Sequence, residues 1–441
     1  MRKHRVIGAI GALGTTIALV AAPAATSSAH GRGQHRPDHD IRTGATFTLD
    51  GTVLDGGEQV TSVTLDTRDV PGIRSARPAA STFTVHAVGR VPAGIDTGGQ
   101  ATVAYDVDRT VTGVTVLPDG RTRLDLLSGN GVAGAGTLDY LSAPGRNVLM
   151  DLQYTVTQTA PVALAPGRTL TLTGLRQTRL VDPEVDAFRS GTSASGLKYR
   201  LYAPDHVRGD RPLIVWLHGN GEGGLPDAYG NEAQLRANRG ALGFATAEAQ
   251  KAFGGAYVVA PEVPGTWYDA DTAGYRARLK ALVDELGRRY DVDTSRIHLA
   301  GASAGGLMAV ELGAAYPTTF ASLVAASPAL YLFRTGAYLT TADEVSRLSS
   351  TPSWFVQSRD DATVPYDRAS VWAHDLLPGS QLTLYDTVTW DGQTYPGHWS
   401  WIYLAHDDPR TAQGVPVWTW MSQQHRSTSR PTGHGGHGVH R

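Results

Sequence analysis

The residue types best suited to nucleophilic chemistry lie in Arg296-Ile-His-Leu-Ala-Gly-Ala-Ser-Ala-Gly-Gly306, which contains the G-x-S-x-G pentapeptide 301–305. An apolar run, Ile297 to Ala300, precedes it and has the length of a buried parallel strand. The chain then passes directly into the helix-forming stretch Gly306 to Ala315. Strand, tight turn and helix in that order put Ser303 on a strained corner where two backbones pass close together, so positions 301 and 305 have no room for side chains. A serine hydroxyl is a poor nucleophile at neutral pH. It needs an imidazole to take its proton and a carboxylate to orient that imidazole and stabilise its charge.

Both partners are present downstream, in the order serine, carboxylate, histidine. A strand expected over 353–357 ends in Ser358-Arg-Asp-Asp-Ala-Thr-Val-Pro365, where Asp361 has the D-x-x-V-P spacing of an acid loop and Asp360 falls one residue early. Either aspartate could instead cap the helix that begins near Tyr366. Beyond the last expected strand, 381–386, lies Tyr395-Pro-Gly-His398-Trp-Ser-Trp401, which makes His398 the candidate base. His374 falls inside an expected helix and His406 at a helix end, where solvated or capping roles suffice.

An oxyanion needs backbone N–H groups set in place before reaction. Ala304, directly after the serine, offers one. The glycine-rich run His218-Gly-Asn-Gly-Glu-Gly-Gly224, after the strand 213–217, offers another: Asn220 is the first candidate and Gly221 the second. Neither a Gly-Lys-Ser/Thr nor a dinucleotide fingerprint accompanies these glycines, so phosphate binding is not indicated. His218 and Glu222 read as bracing the loop, with Glu222 also a candidate for touching substrate. Trp267 and Trp399 are candidate pocket residues by position.

These stretches must be positioned by a scaffold, and with 441 residues the chain predicts two domains. From 45 to 180 the texture is all β, with strands expected over 46–54, 60–67, 81–88, 101–107, 112–117, 121–127, 148–156 and 169–172. Asp55-Gly-Gly57, Pro71-Gly72, Pro118-Asp-Gly120 and Pro144-Gly145 are turn signals between them. Short strands, frequent turns and no amphipathic helix predict an immunoglobulin-like sandwich. It carries no cluster of titratable residues at catalytic spacing. It is expected to pack on the catalytic domain as a spacer, or to bind a surface or polymer. From 181 to 422 strands alternate with helices, as in a parallel sheet covered on both faces. Residues 185–188 and 197–201 are expected to pair as a hairpin opening this domain. Residues 231–253 read as helix with a break at 240–243, and Leu279, Leu282, Val283, Leu286 and Tyr290 form one face of a helix over 275–290.

Composition narrows the function further. The net charge of −2 gives no electrostatic footprint for nucleic acid. With no cysteine, thiol nucleophiles, thiolate metal sites and disulfides are excluded. Residues 1–29 have the basic, apolar and small-residue regions of a signal peptide, which predicts export with no membrane span after its removal. The segments 30–44 and 423–441 read as His-rich, flexible leader and tail; a metal held there would lack fixed geometry.

Together the quoted motifs resemble a family of secreted esterases that carry an immunoglobulin-like N-terminal domain before an α/β-hydrolase domain. The catalytic part is similar to polyhydroxybutyrate-depolymerase-like and prolyl-oligopeptidase-like serine hydrolases. Tyr199-Arg-Leu-Tyr-Ala-Pro204, the 217–224 loop, Ala237-Asn-Arg-Gly-Ala241, Val258-Val-Ala-Pro261 with Trp267, the Ser303 stretch, 354–365 and 397–401 carry the resemblance. It implies Ser303 as nucleophile, Asp361 as acid and His398 as base, no cofactor or metal, and a small-molecule or polymeric ester as substrate. A peptidase of the prolyl-oligopeptidase-like type is the alternative within the same chemistry. A surface- or polymer-binding protein with a secondary hydrolase domain is the alternative outside it.

Overall fold

Alternation builds the first strands: Thr46–Leu54 runs half-buried, buried, half-buried along its whole length, the pattern of a strand with one face on a core. A computed structural model describes residues 40–204, 209–225, 229–230, 232–332 and 335–426. The expected signal peptide, most of the leader and the end of the tail lie outside the described residues. From Asp40 onward the described residues form one compact unit.

The N-terminal β region holds a five-stranded sheet in the order Arg176–Val181, Thr46–Leu54, Gly57–Leu65, Thr122–Leu126, Val111–Val116. Two three-stranded sheets accompany it, one of them built on Phe83–Arg90 between Asp151–Gln158 and Val103–Arg109. Phe47, Leu49, Val63, Val85, Leu124 and Tyr154 come from five strands and meet in a single core. The expected strand over 148–156 is in fact two. Arg146–Leu149 leaves to pair with Leu138–Leu141 as a separate hairpin, and Asp151–Gln158 stays in the sheet.

The second half is built on an eight-stranded sheet in the order Arg189–Thr192, Lys198–Tyr202, Tyr257–Glu262, Arg211–Leu217, Val292–Ala302, Ser322–Ala326, Ser353–Ser358, Gln381–Tyr385. The first two pairings are antiparallel and the rest parallel. Apolar layers cover both faces, one built around Val215, Leu217 and Leu299, and the other around Ile214, Trp216 and Ala300. This is why Arg211–Leu217 is apolar without alternation after its first residue. Tyr275–Arg289 turns Leu279, Leu282, Val283 and Leu286 inward as expected from their spacing. Two expectations fail. Residues 185–188 are not a strand: Pro183–Asp186 is a helical turn capped by Asp182, and Arg189–Thr192 makes the hairpin with Lys198–Tyr202. Gly240–Gly243 is itself a helical turn, and the breaks fall on either side of it. Among the described residues no helix is long and apolar enough to cross a membrane.

The two halves share polar contacts. Arg236 forms an ion pair with the buried Glu58, Arg239 Nη1 donates to the Val53 carbonyl at 2.6 Å, and His406 Nε2 lies 2.8 Å from Asp55 Oδ1. Burial pushes Glu58 and Glu311 up to about 7, against the pull of Arg236 and Arg276, and pushes Glu262 up to about 9 against Lys198. A carboxyl whose pKa is higher folded than unfolded adds stability below its unfolded value, and that stability is lost as pH rises through the folded value. The thermal midpoint is therefore expected to drop as pH rises from about 5 to about 9. Thermal scans across that range check it, and a midpoint that climbs steadily to pH 9 would overturn it.

Candidate active site

Ser303 links the strand Val292–Ala302 to the helix Ala304–Ala315 with φ 54° and ψ −118°, a backbone geometry that ordinary residues avoid. Its amide donates to Ala326 O at 3.0 Å, and its carbonyl accepts from Leu307 and Ala329. The corner is thus held from the neighbouring strand and from the helix it opens. The side chain reaches His398, whose Nε2 lies 2.9 Å from Ser303 Oγ. His398 Nδ1 lies 2.9 Å from Asp361 Oδ2 and 3.1 Å from Oδ1.

Asp361 is buried. Burial alone would raise its carboxyl, but the bond and charge of His398, the Val364 amide and Gln357 outweigh it and hold the group below the ordinary carboxylate range. The amides of Thr363 and Val364 both donate to Oδ1 at 2.9 Å, and Gln357 Nε2 donates to Oδ2 at 2.9 Å. An ionised Asp361 takes the Nδ1 proton of His398 as a hydrogen bond, which leaves Nε2 free to accept from the serine hydroxyl. Asp360 instead meets Ser358 Oγ. His374 Nδ1 lies 2.8 Å from Ser380 Oγ, so neither it nor His406, which meets Asp55, is with Ser303.

The orientation of loop 219–224 follows from peptide geometry. In a trans peptide the N–H points opposite to the carbonyl of the preceding residue. Gly219 O is gripped by His218 Nδ1 at 2.6 Å and by the Glu222 amide at 3.3 Å, which turns the Asn220 N–H the other way. Asn220 O accepts from the Gly223 amide at 3.3 Å, which does the same for Gly221 N–H. Ala304 is the first residue of its helix, where the amide has no intrahelical partner. His218 is fully buried, and burial brings it down to about 4, so it is neutral at pH 7. Its Nε2 accepts from the Val263 amide at 3.3 Å, so Nδ1 carries the proton that it gives to Gly219.

Trp267 departs from the expected position. It is wholly buried behind the loop, and its indole N–H donates to His218 O at 2.9 Å. A buried indole needs an acceptor, and this one finds it in the loop's first carbonyl, so Trp267 braces the loop and does not line a pocket. Trp399 does line the cavity, of about 610 Å³, into which Ser303 and His398 open. Glu222 lines it too, from a buried position; burial pushes its carboxyl up to about 7, against the Gly219 amide and Arg146. Tyr140 and Asn147 of the N-terminal hairpin form part of the same wall. Sequence reading missed both, as well as Gln357; the Pro144-Gly145 turn was the one signal for the hairpin.

Residues 197–363 match the model of the family described as Esterase PHB depolymerase. That stretch holds loop 219–224, Ser303 and Asp361, and ends before His398. "Putative esterase NocK" of Nocardia uniformis subsp. tsuyamanensis is 32% identical over 169 residues, 37% of this chain and 46% of that protein. Feruloyl esterase B of Neurospora crassa is 27% identical over 158 residues, 34% of this chain and 50% of that protein. The chain thus spans about half the length of the curated relatives it matches. Among solved structures, that of a thermostable esterase superposes with a TM-score of 0.68 at 21% identity, covering 86% of this chain and 99% of that one. The second half therefore has the α/β-hydrolase fold, preceded by a β-rich region.

Proposed function

We propose that the protein is an exported serine hydrolase of carboxylic esters, with Ser303 as nucleophile, His398 as general base and acid, and Asp361 as the group that orients His398. The observation that carries this reading is the unbroken chain from Ser303 Oγ through both ring nitrogens of His398 to Asp361, at 2.9 Å on each side of the ring. Esterases among the relatives and an esterase family over the matched stretch support the bond type.

Ser303 Oγ attacks the acyl carbon while its proton passes to His398 Nε2, and the carbonyl oxygen becomes an oxyanion facing the amide of Ala304 and that of Asn220, with Gly221 as the second candidate for the latter place. His398 returns the proton to the departing alcohol, leaving an acyl-serine. Water, deprotonated by the same imidazole, then releases the acid and restores the serine. Trp399 and the hairpin's Tyr140 give the cavity aromatic walls, which fit the planar acyl group that the name of the feruloyl esterase relative suggests. The N-terminal region is read as an immunoglobulin-like sandwich, and the export signal as residues 1–29.

Hydrolysis of p-nitrophenyl acetate, butyrate and octanoate, and of methyl ferulate, by the purified protein tests the reading. Turnover of at least one ester, with a chain-length profile that sizes the cavity, is expected. A folded protein that cleaves none of them overturns it.

A further inference from the structure

We infer that Asn147, on the N-terminal hairpin, is a positioning residue for the oxyanion loop, so that the active site is completed by both halves of the chain. The inference rests on the esterase reading above.

The hairpin formed by Leu138–Leu141 and Arg146–Leu149 stands apart from the core of the β region. Its Leu141 and Val148 pack with Val91, and against Ile95 and Leu225, the last of which follows the oxyanion loop. From this seat two consecutive side chains reach the catalytic half. Asn147 Nδ2 donates to Gly221 O at 3.3 Å and lies 3.5 Å from Glu222 Oε1. Arg146, itself buried, donates from Nη2 to Gly265 O at 3.0 Å, while its Nη1 holds its own turn through Gly145 O at 3.0 Å. Gly265 presses directly against Gly223. The hairpin therefore grips the loop that follows Arg211–Leu217 and the loop that follows Tyr257–Glu262, where these lie against each other.

The grip on Gly221 bears on catalysis. Loop 219–224 has glycine at 219, 221, 223 and 224, so its chain restrains itself poorly. His218 fixes the peptide plane at its start, and Thr266 Oγ1 holds the Asn220 side chain at 2.7 Å. Asn147 supplies the side-chain hydrogen bond to the far plane, between Gly221 and Glu222. It also steadies the Glu222 carboxyl, which turns back towards Gly219 near Ser303. Asn147 touches no reacting atom. It acts by keeping the amides of Asn220 and Gly221 aimed where negative charge develops, and an amide that drifts from that position costs more in the transition state than in the ground state. Backbone bonds from Gly223 to Asn220 and from Gly224 to Val263 remain without it, so its loss loosens the loop and does not release it.

The test compares Asn147→Ala and the nearly isosteric Asn147→Asp, which keeps the volume but cannot donate to Gly221 O, with the unaltered full chain on the best p-nitrophenyl ester. The expected result is a kcat lower by about 10- to 100-fold with KM within about twofold. Affinity for an alkyl trifluoromethyl ketone, whose serine adduct puts an oxyanion in the same place, should weaken by about the same factor as kcat/KM. A kcat within about twofold of the unaltered chain in both variants would overturn the inference, as would a loss confined to KM. If Asn147→Ala does not fold, Asn147→Asp decides the matter alone. Loss of turnover in Ser303→Ala reports separately on the esterase reading: turnover that survives in Ser303→Ala sinks that reading, whereas an insensitive Asn147 sinks only this inference.

Discussion

Replacing Ser303 by alanine is expected to lower kcat for p-nitrophenyl butyrate by about 10⁴-fold or more, with little change in KM. In the proposed mechanism the hydroxyl is the attacking atom, and no other hydroxyl lies within hydrogen-bond reach of His398 among the described residues. His398→Ala should fall as far, because an undeprotonated serine at neutral pH gains little from the rest of the site. The double variant should be hardly worse than either single one, since the two side chains act as a unit. Asp361→Asn is expected to reach a loss of about 10⁴-fold for a different reason. The amides of Thr363 and Val364 and the Gln357 amide group already occupy both carboxylate oxygens as donors. A carboxamide placed there must turn an NH₂ group towards a donor or towards His398 Nδ1, which would draw the histidine into the wrong tautomer. Steady-state kinetics and labelling by a fluorophosphonate measure these effects; Ser303→Ala should lose the label altogether. Turnover within tenfold of the unaltered protein in Ser303→Ala would place the nucleophile elsewhere.

The site was more legible than its surroundings because its parts are local in sequence. The strand–turn–helix around Ser303, the D-x-x-V-P spacing at Asp361 and the glycine beside His398 are each contained within about a dozen residues; Ser303 and Asp361 follow the carboxyl ends of strands in the eight-stranded sheet, and His398 follows the separate short hairpin of Val388–Trp390 and Gln393–Tyr395. Thr46–Leu54 forms at its expected bounds because the alternation along it is unbroken. What depends on partners was harder to read. The apolar pattern runs straight through Met150, so beyond the Pro144-Gly145 turn nothing local shows that Arg146–Leu149 pairs away from Asp151–Gln158. Asn147 consequently looked like the last residue of a turn, just ahead of the strand expected over 148–156. Pro183 after Asp182 was a helix-start signal, but Pro183–Asp186 is a single turn, too short to display a helical period. Gln357 was visible as a polar residue at the end of an apolar strand, and only the folded sheet shows that its amide meets Asp361 and Val364. Trp267 was placed in the pocket by its nearness to motif residues, whereas its indole N–H draws it behind the loop.

Gly305→Ala should be the most damaging single-methyl change at the site. A Cβ at that position would overlap the carbonyl oxygens of Leu217 and His218. Both are backbone atoms, and Leu217 belongs to a strand paired on both sides, with Val292–Ala302 and with Tyr257–Glu262. No rotamer change relieves such a clash, so the helix Ala304–Ala315 has to move away from the sheet. Gly219 provides the contrast: its added Cβ would meet Glu222 Oε2 at 2.8 Å, the far end of a side chain that can swing aside. Overpacking usually costs about 1–3 kcal/mol; a backbone-on-backbone overlap is expected to exceed that, at about 4 kcal/mol or more. In a chain of this size that corresponds to a thermal midpoint lower by about 5 °C, or to failure to accumulate as folded protein. Gly219→Ala should stay folded, and its damage should appear in kcat. Differential scanning fluorimetry on the two variants separates these outcomes. A Gly305→Ala protein with an unchanged midpoint and full turnover would mean that strand and helix do not meet at this corner, and the strain that presents Ser303 to His398 would then need another source.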